Sequence, residues 1–305
     1  MRNSLVNALL NYKTFPEFCV LTGDLGYAAL EPLQSELGDR FINAGIAEQN
    51  MIGVAAGLAE MGMRPWVYSI SPFLYARPFE QIRNDICLQD LAVRLVGSGA
   101  GYGYGASGPT HHALEDCGAM SMLQNMTVFI PSFASDMPEV VSLMMEAKHP
   151  TYLRLGRDEA PADFERSPFK AYRKLTIGAK CVALALGNIA GSVIEACLGL
   201  ANGPTIWACG KLPVKREDIP NKLLEDIRHS RGLIIIEDHV AIGGLGQQFI
   251  SCLLENGVDP IHFIHLYALG YKGDESGTQN FYRMQNGLST VQIGHVITQF
   301  LKKCC

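Results

Sequence analysis

The chain has 305 residues, 48% hydrophobic and 18% charged, with 25 Lys and Arg against 30 Asp and Glu. The resulting charge of −5 excludes the basic excess of a nucleic-acid binder. No apolar run reaches the roughly 18 residues of a membrane span.

The N-terminal MRNSLVNALLNYK has neither the apolar length nor the small-residue cleavage site of a secretory signal. The nine cysteines form no Cys-x-x-Cys pair. Most sit in apolar runs, as Cys19, Cys181 and Cys197 do, which is how reduced cytoplasmic cysteines look. Cys304 and Cys305 read as a frayed tail.

From end to end, short apolar runs alternate with amphipathic stretches. EFCVLTG, RPWVYSI, AVRLVG, MTVFIP and TYLRL lie in the first half; CVALALG, PTIWAC, GLIIIEDH and PIHFIHL lie in the second. Each is β-branched or aromatic and bounded by Gly, Pro or Asp, as strands are. Residues 47–61, 135–147 and 243–256 are the clearest helices between them. Strands apolar on both faces, alternating with helices, predict parallel sheets covered on both sides. The stretch 156–174, GRDEAPADFERSPFKAYRK, is charged, contains prolines and lacks an apolar period. It predicts a linker over 161–174 between a domain at 1–160 and another at 175–305. The fold class expected is α/β, two successive three-layer domains with mostly parallel sheets.

The first chemical signal is FINAGIAEQNMIGVAAGLAEMG, residues 41–62. A short strand and turn open a helix with Glu48 in its first turn. Glu48 would complement the helix dipole wherever it lay. The following GVAAGLA is small and apolar, as a closely packed, buried helix requires. A carboxylate at the head of such a helix needs a specific partner, which favours a functional Glu48.

Residues 97–108, GSGAGYGYGASG, contain Gly103, Gly105 and Gly108 in G-x-G-x-x-G spacing. A dinucleotide fingerprint starts at a strand end and is followed by an acidic residue about 20 positions on. Neither condition holds, so the run predicts a mobile or closely packed loop. It leads into GPTHHALED (108–116). Pro109 sets a turn, and Glu115 and Asp116 suit the first turn of a helix. That places His111 and His112 where open α/β sheets bind ligands, either as one buried and one solvated histidine or with a catalytic role. Metal chemistry is unsupported: His262 and His265 face opposite sides of a strand. No Walker loop, His-Glu-x-x-His or G-x-S-x-G elbow occurs.

IAEQNM (46–51), SPFLYARPFEQIRND (71–85) and GPTHHALED (108–116) resemble transketolases in order and spacing, with 1-deoxyxylulose-5-phosphate synthases close behind. TGDLG (22–26) and IEDH…GGLG (236–246) also fit. The resemblance implies a pyrimidine-binding domain at about 1–160 followed by the family's C-terminal domain, and thiamine diphosphate as cofactor. It makes Glu48 the glutamate that hydrogen-bonds N1′ of the aminopyrimidine and so promotes loss of the thiazolium C2 proton. Phe73 matches the aromatic that stacks on the pyrimidine; this loop differs in length by one residue from many relatives, which leaves Tyr75 as the alternative. Asp24 matches an aspartate near the cofactor and substrate channel. His111 matches the histidine that binds donor hydroxyls and shuttles protons. Arg2 and Arg157 match arginines that hold a sugar phosphate.

Two departures from the family pattern matter. The family holds the diphosphate and Mg²⁺ through Gly-Asp-Gly in an N-terminal domain, whereas this chain has only Gly273-Asp274-Glu275. The resemblance therefore implies one subunit of a split transketolase. The metal ligands fall on a partner chain carrying Gly-Asp-Gly, with two copies of each chain in the complex. In addition, the Asp that usually precedes Gly-Pro-Thr-His and reads a sugar hydroxyl is Ser107. Counting back without gaps, Gly99 stands where many relatives have a phosphate-binding histidine. The competing readings are the β subunit of a 2-oxoacid dehydrogenase and a non-catalytic regulatory subunit.

Overall fold

The computed structural model describes residues 1–178, 181–200, 202–230, 232–271 and 276–304. Gly273-Asp274-Glu275 and Cys305 lie outside them. In chain order the strands are β1 (Phe18–Thr22), β2 (Phe41–Asn43), β3 (Arg64–Ile70), β4 (Arg94–Ser98), β5 (Thr127–Phe129) and β6 (Thr151–Leu155). There follow β7 (Tyr172–Lys174), β8 (Val182–Leu186), β9 (Thr205–Cys209), β10 (Lys211–Leu212), β11 (Gly232–Ile236) and β12 (His262–Leu266).

Among the described residues they form a seven-stranded sheet in the order β10-β5-β6-β4-β3-β1-β2 and a five-stranded sheet in the order β12-β11-β8-β9-β7. The pairings are parallel except for β10 with β5 and β7 with β9. This is the mixed α/β, mostly parallel architecture expected from the sequence. The cause is visible in β1, β4, β6, β8, β9 and β11, where every residue is buried. A strand covered on both faces needs helices on both sides.

Two pairings depart from the expected linker and domain limits. Tyr172–Lys174, assigned by sequence to the linker, is the edge strand β7 of the second sheet. Its Arg173 makes a buried two-pronged ion pair with Asp136 at 2.8 and 2.6 Å, tying it back to the first half. Conversely, β10 comes from the second half but pairs with β5 of the first sheet. One core cluster runs from Leu21, Met51 and Val67 through Ile130 to Leu184, Trp207 and Ile235, so the two sheets share apolar packing.

The helix Glu48–Glu60 is half-buried, where the sequence predicted a buried one. Met51, Ile52, Ala55 and Ala56 face the core, while Gly53, Val54 and Gly57 are exposed and both glycines open onto empty space. The two glycines thus lie on an outward face, while the alanines pack inward. Among the described residues no helix is long and apolar enough to cross a membrane.

Candidate active site at the carboxyl edge of the first sheet

Chain segments leaving β1, β2, β3 and β6 carry Asp24, Glu48, Phe73 and Arg157, and β4 itself ends on Ser98. That is the edge where open parallel sheets bind ligands. Glu48 heads its helix and is only 6% exposed. Its carboxylate accepts a hydrogen bond from Arg77 Nη1 at 2.7 Å. The same guanidinium lies 3.9 Å from the centroid of the Phe73 ring. His111 packs on Phe73 edge-to-face, with centroids 5.0 Å apart. Glu48, Phe73 and His111, from three separate segments, therefore form one connected cluster.

Tyr75 is turned away from it. Its buried ring belongs to the core, and its hydroxyl donates to Glu115 at 3.0 Å. Burial and the Glu115 charge hold the phenol well above its ordinary range. The helix Ser71–Tyr75 points successive side chains about 100° apart, so Phe73 presents the open ring and Tyr75 does not. Asp24 lies further along the edge. It adopts a left-handed backbone conformation, φ +54°, and its amide donates to Asn43 Oδ1 at 2.9 Å. Asn43 Oδ1 also accepts from the Gly45 amide at 3.0 Å. Asn43 thus ties Asp24 to the turn that delivers Glu48.

Arg2 and Arg157, far apart in sequence, line one cavity of about 260 Å³ with Ser98, Gly99, Tyr104 and Gln279. The glycine-rich run is the closely packed kind of loop. Gly99 has φ +95°, and a Cβ there would lie 2.2 Å from the Tyr104 ring. Tyr104 fills the space that a side chain at position 99 would need, and its hydroxyl lies 3.2 Å from Ser98 Oγ. A Cβ on Gly101 would meet the Asp238 carboxylate at 2.5 Å. Ser107, in the single turn Gly105–Ser107, is exposed.

The two adjacent histidines separate as one buried and one half-buried. His112 is 1% exposed and sits among Tyr102, Tyr271 and Tyr282. Burial lowers its pKa, which keeps the ring neutral. His111 is half-buried, and its Nδ1 lies 3.0 Å from Thr110 Oγ1.

Asp116 proves to be more than a helix-dipole charge. It is fully buried and takes Arg154 Nε at 3.0 Å and the Tyr152 hydroxyl at 3.0 Å. Arg154 also donates to Asp238 Oδ1 at 2.7 Å and to the Ala113 carbonyl at 2.9 Å. Arg283 closes the network on Asp238 at 3.0 Å and also pairs with Glu159. Burial opposes ionisation of Asp238, but Arg154 and Arg283 outweigh it and bring its pKa down to about 2. This charge network clamps the His111 loop against the second half. Glu237, from IEDH, accepts the Leu245 and Gly246 amides at 2.8 and 2.9 Å, capping the helix that GGLG opens.

Arg77 and Asn43 were not singled out from the sequence. Arg77 lies in the turn just past the helix Ser71–Tyr75, where no periodicity points it at Phe73. Asn43 gave no signal either.

Residues 6–162 match the family described as transketolase, pyrimidine binding domain. The chain is 30% identical over 244 residues to one of the subunits of the apulose-4-phosphate transketolase of Actinobacillus succinogenes, covering 78% of each. It is 30% identical to 1-deoxy-D-xylulose-5-phosphate synthase 1 of Geobacter metallireducens, covering 90% of this chain but 44% of that protein. Among solved structures, one described as "Split gene transketolase, inactive beta4 tetramer" superposes with a TM-score of 0.82 and 29% identity, covering 100% of this chain and 98% of that one. The matches and the geometry define an α/β protein of the pyrimidine-binding class. The chain belongs to the transketolase family, in which its extent is that of the C-terminal subunit of a split transketolase.

Proposed function

We propose that this subunit supplies the pyrimidine half of a transketolase active site, moving a two-carbon ketol unit from a ketose to an aldose. The observation that carries the reading is the pairing of a nearly buried carboxylate with an adjacent aromatic face. A planar nitrogenous cation, the Arg77 guanidinium, already occupies both. An aminopyrimidine is planar too, and when protonated at N1′ it donates to a carboxylate as the guanidinium does, so the residues fit the cofactor's pyrimidine. When bound, thiamine diphosphate supplies the electron sink for carbon–carbon cleavage.

Glu48 holds the proton at N1′, Phe73 gives the stacking face, and His111 binds the donor's hydroxyls and relays their proton. Asp24 borders the channel beside them. Arg2 and Arg157 hold a substrate's anionic end, as guanidinium groups do for phosphates. Residues 1–160 supply the pyrimidine-binding domain, its sheet completed by β10, and the C-terminal domain begins at β7, so the connecting segment is shorter than 161–174. The diphosphate and Mg²⁺ fall to a partner chain with a Gly-Asp-Gly motif, in a complex of two of each. The exposed Gly53, Val54 and Gly57 face leaves room for close approach by that partner. The buried thiols, such as Cys19 raised by burial to about 11, suit the reducing cytoplasm.

The test is reconstitution. The chain alone should show no ketol transfer and at most weak binding of thiamine diphosphate by calorimetry. Adding the Gly-Asp-Gly partner should give both. Tight Mg²⁺-dependent binding by the isolated chain would overturn the split-site reading.

Ser107 is the residue proposed to set substrate choice. A neutral hydroxyl stands at exposed Ser107 in place of a carboxylate, and the absence of a histidine at position 99 makes the cavity of Arg2 and Arg157 less cationic. The expected substrate departs from ordinary pentose phosphates. Comparing kcat/KM for xylulose 5-phosphate and ribose 5-phosphate with a panel of modified sugar phosphates, apulose 4-phosphate included, decides it. Ser107→Asp should move preference towards the ordinary pair. Full activity on that pair, with no better member in the panel, would reject the idea.

A further inference from the structure

A nearly buried carboxylate is costly when it stands unpaired. In this subunit Glu48 is not unpaired: Arg77 Nη1 reaches it at 2.7 Å. The side chain of Glu48 is 7% exposed and that of Arg77 is 46% exposed, so the arginine covers the carboxylate from the solvent side. Its guanidinium simultaneously lies over Phe73 at 3.9 Å, a distance at which stacking and cation–π attraction both operate. One side chain thus satisfies the two groups that the proposed site offers to a pyrimidine.

We infer that Arg77 is a built-in occupant of the pyrimidine site, which the cofactor must displace from Glu48 and Phe73 before it can seat. The inference rests on the proposed function. The geometry allows the exchange. Arg77 is anchored just past a short helix, its outer half is in water, and the guanidinium can return to solvent while remaining charged. The carboxylate cannot follow, since Glu48 is held in the first turn of a packed helix. Exchange therefore swaps one donor for another on a stationary acceptor, and Glu48 is never left bare. An internal competitor reduces apparent affinity to the fraction of time it leaves the site open, a loss on the order of tenfold for an occupant bound nine parts in ten.

The experiment uses the full chain and 4-amino-5-hydroxymethyl-2-methylpyrimidine, which has no diphosphate and needs no partner subunit. Binding is followed by NMR titration of the wild type, Arg77→Ala and Arg77→Lys. Arg77→Ala should bind the pyrimidine about tenfold more tightly. Arg77→Lys, which keeps the charge but loses the plane, should fall between, and it covers the case in which the alanine variant is unstable. Equal or weaker binding by both variants overturns the inference while leaving the pyrimidine site standing. Absence of binding by all three chains at millimolar pyrimidine also overturns the inference, since removing Arg77 then frees no site; the split-site reading, which expects at most weak binding by the isolated chain, is judged by the reconstitution.

Discussion

Glu48→Gln in the assembled enzyme should lower kcat by about 100- to 10,000-fold, the range that a positioned acid–base group supplies. The side chain keeps its shape and can still hydrogen-bond, so fold and substrate KM should change little. What it loses is the carboxylate: an amide can neither take up nor release the N1′ proton at neutral pH. The effect should therefore also appear as slowed exchange of the cofactor's C2 proton, measured by NMR without any sugar present. Turnover within a few-fold of wild type would show that Glu48 is a structural carboxylate and that the assigned chemistry is wrong.

The largest stability effect should come from Arg154→Ala. Arg154 is fully buried, and its guanidinium is shared by Asp116, Asp238 and the Ala113 carbonyl. Removing it leaves two interior carboxylates without their main counter-charge; among the described residues Asp238 retains Arg283 and Asp116 retains the Tyr152 hydroxyl. Breaking a buried pair in this way costs about 3–5 kcal/mol, which corresponds to a fall in Tm on the order of 10 °C. Urea unfolding and a thermal scan measure it. A loss below about 1 kcal/mol would mean that neighbouring groups or water take over the arginine's role.

Local pattern carried most of the fold. CVALALG and GLIIIEDH announce fully covered parallel strands by their unbroken apolar runs, and residues 47–61 contain the helix Glu48–Glu60. The strands β7 and β10 were not legible. They are two or three residues long and pair antiparallel with distant segments, so nothing in YRK or KL marks them as strands. Arg154 was equally opaque. In TYLRL it looks like an intruder in an apolar strand, and its partners stand 38 and 84 positions away.

The candidate site divides in the same way. Glu48, Phe73 and His111 were carried by motif resemblance, and they do meet in space. The choice between Phe73 and Tyr75 needed the helix's orientation. The separate fates of His111 and His112 needed Tyr271 and Tyr282, which only the second half of the chain can bring near. The outward turn of Gly53 and Gly57 depends on which face of the helix meets the core, and composition alone is silent on that.

The strand β10 bears on how this chain can be cut. Residues 6–162 match a recognised family unit, yet the sheet of that unit is finished by Lys211 and Leu212 alongside Phe129 and Val128. A fragment ending near 162 would bare the backbone donors and acceptors of β5 along an open flank, a template for any other extended chain. It would also lose Arg173 from the Asp136 carboxylate. The recognisable unit and the self-sufficient unit therefore differ. An expression fragment that keeps the edge carrying Glu48 must run past residue 212, or the severed sheet will finish itself with a second molecule.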